Sequence, residues 1–362
     1  MKKIVIFPYH PDCHILLSHK EFLLGYEIVG YISYNGDARL IRGLNDKLGA
    51  VEFTDDHYID NCDALVLLDN YRNYSIDKYY KIIEYALSKN KDIYGTPLVM
   101  SQLNLVQYNG QFRVIEKLLD DMKSVDEEYA NRTLQNNIIL HKIPVPILAV
   151  IGQGKNCDKF MVQLMLKEAI EQDYKTVVVS SNALGALFNC YTMPHFMFAN
   201  ISFQEKIVKF NYFINNILKA TNPDVLVIGI PEGIHPFESK EFHHFAEYPL
   251  VIANATPVDL AVLCTYFYQN PVEVGFRVMA ELCEIKFDMT VGAIVISRTQ
   301  VDTPDDDFKP ISFDYLDDMY IDNYYPDLGH IDLPMIDISR LDTAKDMLLK
   351  TVELLGENVS TF

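Results

Sequence analysis

Residues 145–170 read VPILAVIGQGKNCDKFMVQLMLKEAI, and this stretch decides how the second half of the chain is understood. PILAVIG is a run of apolar and β-branched residues short enough for a buried strand. GQGKNCD carries the glycines of a tight loop, and KFMVQLMLKEAI has the length and composition of a helix. Strand, glycine-bearing loop and helix opening on a lysine form the outline of a phosphate-binding loop. Such a loop directs backbone N–H groups and a helix N-terminus at anionic oxygens, while the lysine reaches the outer phosphates.

The match to the GxxxxGK[ST] pattern is partial. Gly152, Gly154, Lys155 and Lys159 occupy the expected region, but the spacing from Gly152 to Lys159 is one residue too long. Asp158 stands in place of the last glycine and Phe160 in place of the Mg²⁺-binding hydroxyl. A carboxylate beside a phosphate repels it unless a metal lies between. The alternative is a plain strand-to-helix turn in which Asp158 caps the helix. Both readings stay open from the sequence.

Working outward, DVLVIGIPEGIHP (224–236) is a second apolar strand ending in a Gly-Pro turn. In phosphate-loop proteins such a strand ends in an aspartate that holds Mg²⁺. Gly229 falls at that position here, leaving Glu232 as the nearby acid and His235 as a further polar candidate. Ligands of parallel sheets bind at this edge, so both are expected near a site. ISRTQVD (296–302) faintly echoes a base-reading segment but is more simply a polar loop.

KTVVVSS, LAVLCTYF and VGAIVIS supply further strands, separated by the helical stretches FQEKIVKFNYFINNILKAT and PVEVGFRVMAELCEIKF. The chain begins with a similar alternation: KKIVIFP, EIVGYIS, DALVLLD and KDIYG as strands, with HILLSHKEFLLG, SIDKYYKIIEYALSKNK and FRVIEKLLDDM as helices. PLVMSQLNLVQYNG, after KDIYG, has no assignment. Alternation of this kind predicts parallel sheets covered by helices. Ile143-Pro144-Val145-Pro146 interrupts it, because paired prolines enforce extended backbone. The expected architecture is α/β in two domains. Residues 1–140 form a Rossmann- or flavodoxin-like domain, and residues 141–362 a P-loop-NTPase-like one. The latter carries an acidic Asp/Tyr-rich segment (302–337) and a C-terminal helix ending at Gly356.

The formal charge of −19 disfavours nucleic acid, which demands clustered Lys and Arg. A basic peptide is compatible with such a field. No apolar run approaches the ~18 residues of a membrane span, and the apolar stretch after MKK is too short for a secretory signal. A cytoplasmic location is expected. The six cysteines are scattered, without a CxxC pair, so neither disulfides nor a zinc cluster is expected. His10, Cys13 and His14 lie close together, as do His243 and His244, but neither group has an evident second set of ligands. No dedicated metal centre is expected. No nucleophile elbow is visible, and the dinucleotide fingerprint is absent from the first βα turn.

Four stretches carry a family resemblance: HKEFLLGYEIVGYIS (19–33), VIGQGKNCDKFMVQLMLKEAI (150–170), DVLVIGIPEGIHPF (224–237) and HHFAEYPLVIANATPVDLAVLC (243–264). In order and spacing they resemble the peptide maturation system proteins, encoded beside bacteriocin-type precursors and radical SAM enzymes in clostridial gene clusters. The resemblance implies an accessory role in making a ribosomally synthesised, modified peptide. Its partners would be the precursor peptide or a maturation enzyme, and it assigns no catalytic residue. ATP or GTP with Mg²⁺ is the cofactor expected of the loop. A non-catalytic scaffold and an enzyme acting on the peptide between the two domains are the alternatives. Assembly as a homo-oligomer stays open.

Overall fold

The computed structural model describes residues 1–8, 16, 23, 25–32, 57–68, 75–103, 112–119, 122–236, 241–269, 273–303, 311–316, 333–338 and 340–358. The helix expected over HILLSHKEFLLG, the His10–Cys13–His14 group and most of the Asp/Tyr-rich segment lie outside them. Two compact units emerge, Met1–Lys117 with Ala183–Cys190, and Leu118–Asn182 with Tyr191–Phe362.

The first unit contains β1 (Lys2–Phe7), β2 (Tyr26–Tyr31), α1 (His57–Asp60), β3 (Ala64–Leu67), α2 (Ile76–Ser88), β4 (Asp92–Gly95), α3 (Pro97–Gln102) and β5 (Phe112–Val114). Its five strands run in the order β2-β1-β3-β4-β5, with every pairing parallel. This is the order of flavodoxin-type doubly wound sheets. Helix α2 turns Tyr79, Ile82, Ile83 and Ala86 onto a core formed with Val5, Leu65 and Leu67. The unassigned stretch after β4 opens as α3, because Thr96 accepts a hydrogen bond from the Val99 N–H and Pro97 sits where no intrahelical N–H is needed. FRVIEKLLDDM departs from its helical expectation. Phe112–Val114 pairs with β4 as an edge strand, and the helix begins at Lys123. Two turns' worth of apolar spacing is too little to outweigh an available sheet edge.

The second unit contains α4 (Lys123–Leu134), β6 (Ile147–Gly152), α5 (Lys159–Ile170), β7 (Thr176–Ser180), β8 (Tyr191–Thr192), α6 (Phe203–Thr221), β9 (Val225–Gly229), α7 (Glu247–Ala255), β10 (Leu260–Phe267), α8 (Glu273–Phe287), β11 (Val291–Asp302), β12 (Ser312–Tyr315), β13 (Met335–Asp337) and α9 (Leu341–Asn358). Its sheet runs β12-β11-β10-β6-β9-β7-β8, with β13 also paired to β11. The pairings are parallel except β11 with β12. Strand β6 is central and wholly buried, which is why its sequence is continuously apolar.

Helix α6 follows its sequence signature closely. Ser202 accepts from the Glu205 N–H in an S-x-x-E start, and Asn222 in a left-handed conformation ends it. ISRTQVD is the continuation of β11 rather than a loop, and α9 runs to Asn358, past the expected stop at Gly356. Among the described residues, no helix is long and apolar enough to cross a membrane.

The connectivity places one feature above the rest. From β6 the chain builds β7, β8 and β9 on one side, then crosses to build β10 and β11 on the other. The carboxyl end of β6 is therefore a topological switch point, where parallel sheets open a crevice for ligands. The 152–159 loop leaves the sheet there.

Candidate functional site

The loop between β6 and α5 is folded around its own lysine. Asn156 (φ 55°) and Asp158 (φ 56°) adopt left-handed conformations that Asn and Asp tolerate better than most residues. These bends turn the chain back so that the Lys159 side chain, only 8% exposed, lies inside the loop. Its ammonium donates to the Gly154 carbonyl oxygen at 2.6 Å and to the Glu232 carbonyl oxygen. Gly152 makes room for the lysine stem, since a Cβ there would sit 2.5 Å from Cys157 Sγ and 2.8 Å from Lys159 Cδ.

The loop is anchored to β10. The Gln153 amide oxygen accepts from the Tyr266 N–H at 3.2 Å, and its amide nitrogen donates to the Tyr268 hydroxyl. The Tyr266 hydroxyl donates to the Lys155 carbonyl at 2.6 Å. Burial pushes both phenols above their usual range, so both stay protonated, Tyr266 as a donor and Tyr268 as the acceptor from Gln153. Cys157 is buried beneath the loop, donating its thiol to the Gly154 carbonyl at 3.1 Å. Burial raises that thiol too, against the opposing pull of Lys159.

Asp158 occupies the position before α5 but makes no side-chain cap. Its carboxylate turns towards β11 and accepts from the Arg298 N–H at 2.9 Å. Burial raises it, with the Arg298 charge pulling the other way. Asp158 thus ties the loop to the sheet, and the capping reading does not describe it.

Strand β9 delivers the other half of the site. At Gly229, where an aspartate would have completed the usual pattern, a Cβ would collide with the Gln163 carboxamide. That carboxamide is fully buried, donating to Ser181 Oγ at 2.9 Å and accepting from the Ser181 N–H at 3.3 Å. The missing aspartate and the buried glutamine of α5 are one packing solution. Beyond it, Gly233 passes within van der Waals contact of the loop. A Cβ there would lie 2.7 Å from His243 Cδ2 and 3.0 Å from Gly154 Cα.

Glu232 (φ 59°) turns its carboxylate towards Lys155 Nζ, at 3.3 Å, and His243 Nδ1, also at 3.3 Å. Burial alone would raise this carboxyl. The His243 hydrogen bond and the Lys155 and Lys159 charges outweigh it and hold it below the usual glutamate value. Glu241 completes the cluster, 3.4 Å from Lys155 Nζ and 3.8 Å from His243 Nδ1. His243 is set by an unusual backbone, since His243, His244, Phe245 and Ala246 all have positive φ between 44° and 62°. A left-handed turn of non-glycine residues costs about 1–2 kcal/mol per residue, and such strain concentrates at functional sites.

The structure thus brings together Gly152, Gly154, Lys155, Lys159 and Glu232 from the residues marked by sequence. It adds Gln153, Glu241, His243, Tyr266 and Tyr268. His235 sets its Nδ1 against the Pro236 carbonyl at 2.6 Å. Sequence reading passed over Glu241 and set His243 aside for want of further ligands, because both lie beyond the turn that follows β9 and only the fold returns them to Glu232. The signal available was Glu232 followed within a dozen residues by another acid and a histidine.

No family model matches this sequence, and no curated protein does. Among solved structures, a DUF1611 family protein from Anabaena variabilis superposes with a TM-score of 0.58 at 15% identity, covering 98% of this chain and 100% of that one. A pseudomurein peptide ligase type C from Methanothermus fervidus gives a TM-score of 0.25 at 14% identity, over 82% of this chain and 44% of that one. The second overlap is too loose to carry a conclusion. The chain shares its α/β fold, from end to end, with the DUF1611 family protein.

Proposed function

We propose that the second unit is a P-loop-like domain whose 152–159 loop holds the phosphates of a ligand, ATP or GTP being the foremost candidates. The observation that carries this reading is the Lys159 ammonium, buried at a topological switch point with backbone carbonyls as its partners. Phosphate oxygens are stronger acceptors than carbonyls for such a donor. The start of α5 directs N–H groups towards the same place. Gly152 and Gly154 would hold the phosphate through backbone, Lys159 through its charge, and Lys155 from the rim.

The residues fit an anion better than they fit the usual hydrolytic machinery. Phe160 is buried where a metal-binding hydroxyl would stand, and Gly229 has no room for an acid. The reading is therefore of a ligand-binding or regulatory domain rather than an ordinary ATP hydrolase. The four resembling stretches and the charge of −19 support a place in peptide maturation, with a basic precursor segment or its modifying enzyme as partner.

A ligand bound only by the folded state stabilises it, by about 2.7 kcal/mol at a hundredfold excess over Kd. ATP, GTP and inorganic pyrophosphate should each be tested for a rise in Tm of the full chain. A rise with at least one of them is expected. No rise with any of them sinks the reading.

A further inference from the structure

We propose that Glu232, Glu241 and His243 form a divalent-cation site of their own, suited to an ion of the Mn²⁺ or Zn²⁺ class. The donor atoms are Glu232 Oε2, Glu241 Oε1 and His243 Nδ1, all within 4.8 Å of one another. The imidazole nitrogen lies 3.3 Å and 3.8 Å from the two carboxylate oxygens. Ligands about 2.1 Å from a shared ion stand roughly 3–4 Å apart, so these three need little movement to close on one. Two carboxylates with one imidazole favour a borderline ion over Mg²⁺, which prefers oxygen donors throughout.

Burial and charge bear on the same place. His243 is 1% exposed and aims Nδ1 at the two carboxylates, while its unpartnered Nε2 faces Gly154 from the opposite side of the ring. Lys155 Nζ lies 3.3 Å and 3.4 Å from those same carboxylates, so the chain already places a positive charge against them. Because the Lys155 side chain is partly exposed, it can withdraw when a metal ion takes that place.

The site rests on its own donors; only its role towards a phosphate depends on the reading above. Within that reading it supplies what the loop lacks. The two usual metal positions are Phe160 and Gly229, and the proposed cation would be held instead by Glu232, Glu241 and His243. Metal binding would also release Lys155 towards a bound phosphate, coupling the two ligands.

The test is a titration of Mn²⁺ into the nucleotide-free full chain, with free Mn²⁺ followed by electron paramagnetic resonance. One ion per chain is expected. Loss of a second-shell partner already weakens metal sites by about 10–100-fold, so Glu232→Gln and Glu241→Gln should each cost at least about tenfold in affinity. Lys155→Met should tighten binding by removing the competing charge. Glu241 is partly exposed, so its variant keeps the test decisive if Glu232→Gln does not fold. No stoichiometric binding, or an affinity unchanged in Glu241→Gln, overturns the proposal. Since no nucleotide is present, either result leaves the phosphate reading to its own test.

Discussion

Gly229 gives the sharpest test of how the site is packed. Gly229→Ala adds one methyl at a position where a Cβ would overlap the Gln163 carboxamide. Gln163 is fully buried and held by two hydrogen bonds to Ser181. It can make way only by giving them up, at about 0.5–1.5 kcal/mol each. Overpacking adds about 1–3 kcal/mol. The expected destabilisation is therefore about 2–6 kcal/mol, read from urea denaturation followed by circular dichroism. Shortening the neighbour should relieve it. In Gly229→Ala/Gln163→Ala the two costs should fail to add, with a coupling of at least about 1 kcal/mol. A Gly229→Ala variant within about 0.5 kcal/mol of the parent, or strictly additive costs, would refute the claim that the glutamine and the glycine form one device.

Gly154→Ala would place a Cβ 2.8 Å from His243 Nε2 and against the Tyr266 hydroxyl; it should abolish the ligand-induced rise in Tm while leaving the far-ultraviolet spectrum of the folded chain intact. Asn211→Ala removes an acceptor for the His141 N–H and donors to the His141 and Ala255 carbonyls; a loss of about 2–4 kcal/mol is expected in urea denaturation. Glu128 is raised by burial, but its bonds to His141 and Arg132 outweigh this and depress it. Its contribution is thus present above the unfolded glutamate value near 4.5 and fades as pH falls through the lower folded value. Glu128→Gln should lose less Tm than the parent between pH 5 and about pH 2, and an equal loss would remove Glu128 from the account.

Much of this fold was legible because its local signals agree. The short, β-branched apolar runs of β6, β9 and β10 suit buried parallel strands, and α6 carries both its start and its stop in sequence. FRVIEKLLDDM was not legible, since its apolar spacing suits a helix while the open edge of β4 takes its first residues as a strand. The loop was legible as a shape and ambiguous as chemistry. Lys159 was legible as a lysine opening a helix after Gly152 and Gly154, whereas its enclosure by the Gly154 and Glu232 carbonyls was not. Asp158 reads poorly because its partner, the Arg298 N–H, is supplied by a strand 140 residues away. Glu241 and His243 depend on a left-handed turn that has no recognised sequence signature, and Tyr266 and Tyr268 meet Gln153 only through the pairing of β10 with β6.

The central claim is that the 152–159 loop holds phosphate through Lys159. Calorimetric titration of ATP and GTP into the parent and into Lys159→Met, at a temperature where both are folded, tests it most directly. The account predicts one site per chain for at least one nucleotide in the parent, weakened by at least about tenfold in the variant, which loses charge-assisted hydrogen bonds of about 1.5–3 kcal/mol. No binding in the parent, or equal affinity in the two proteins, would contradict it.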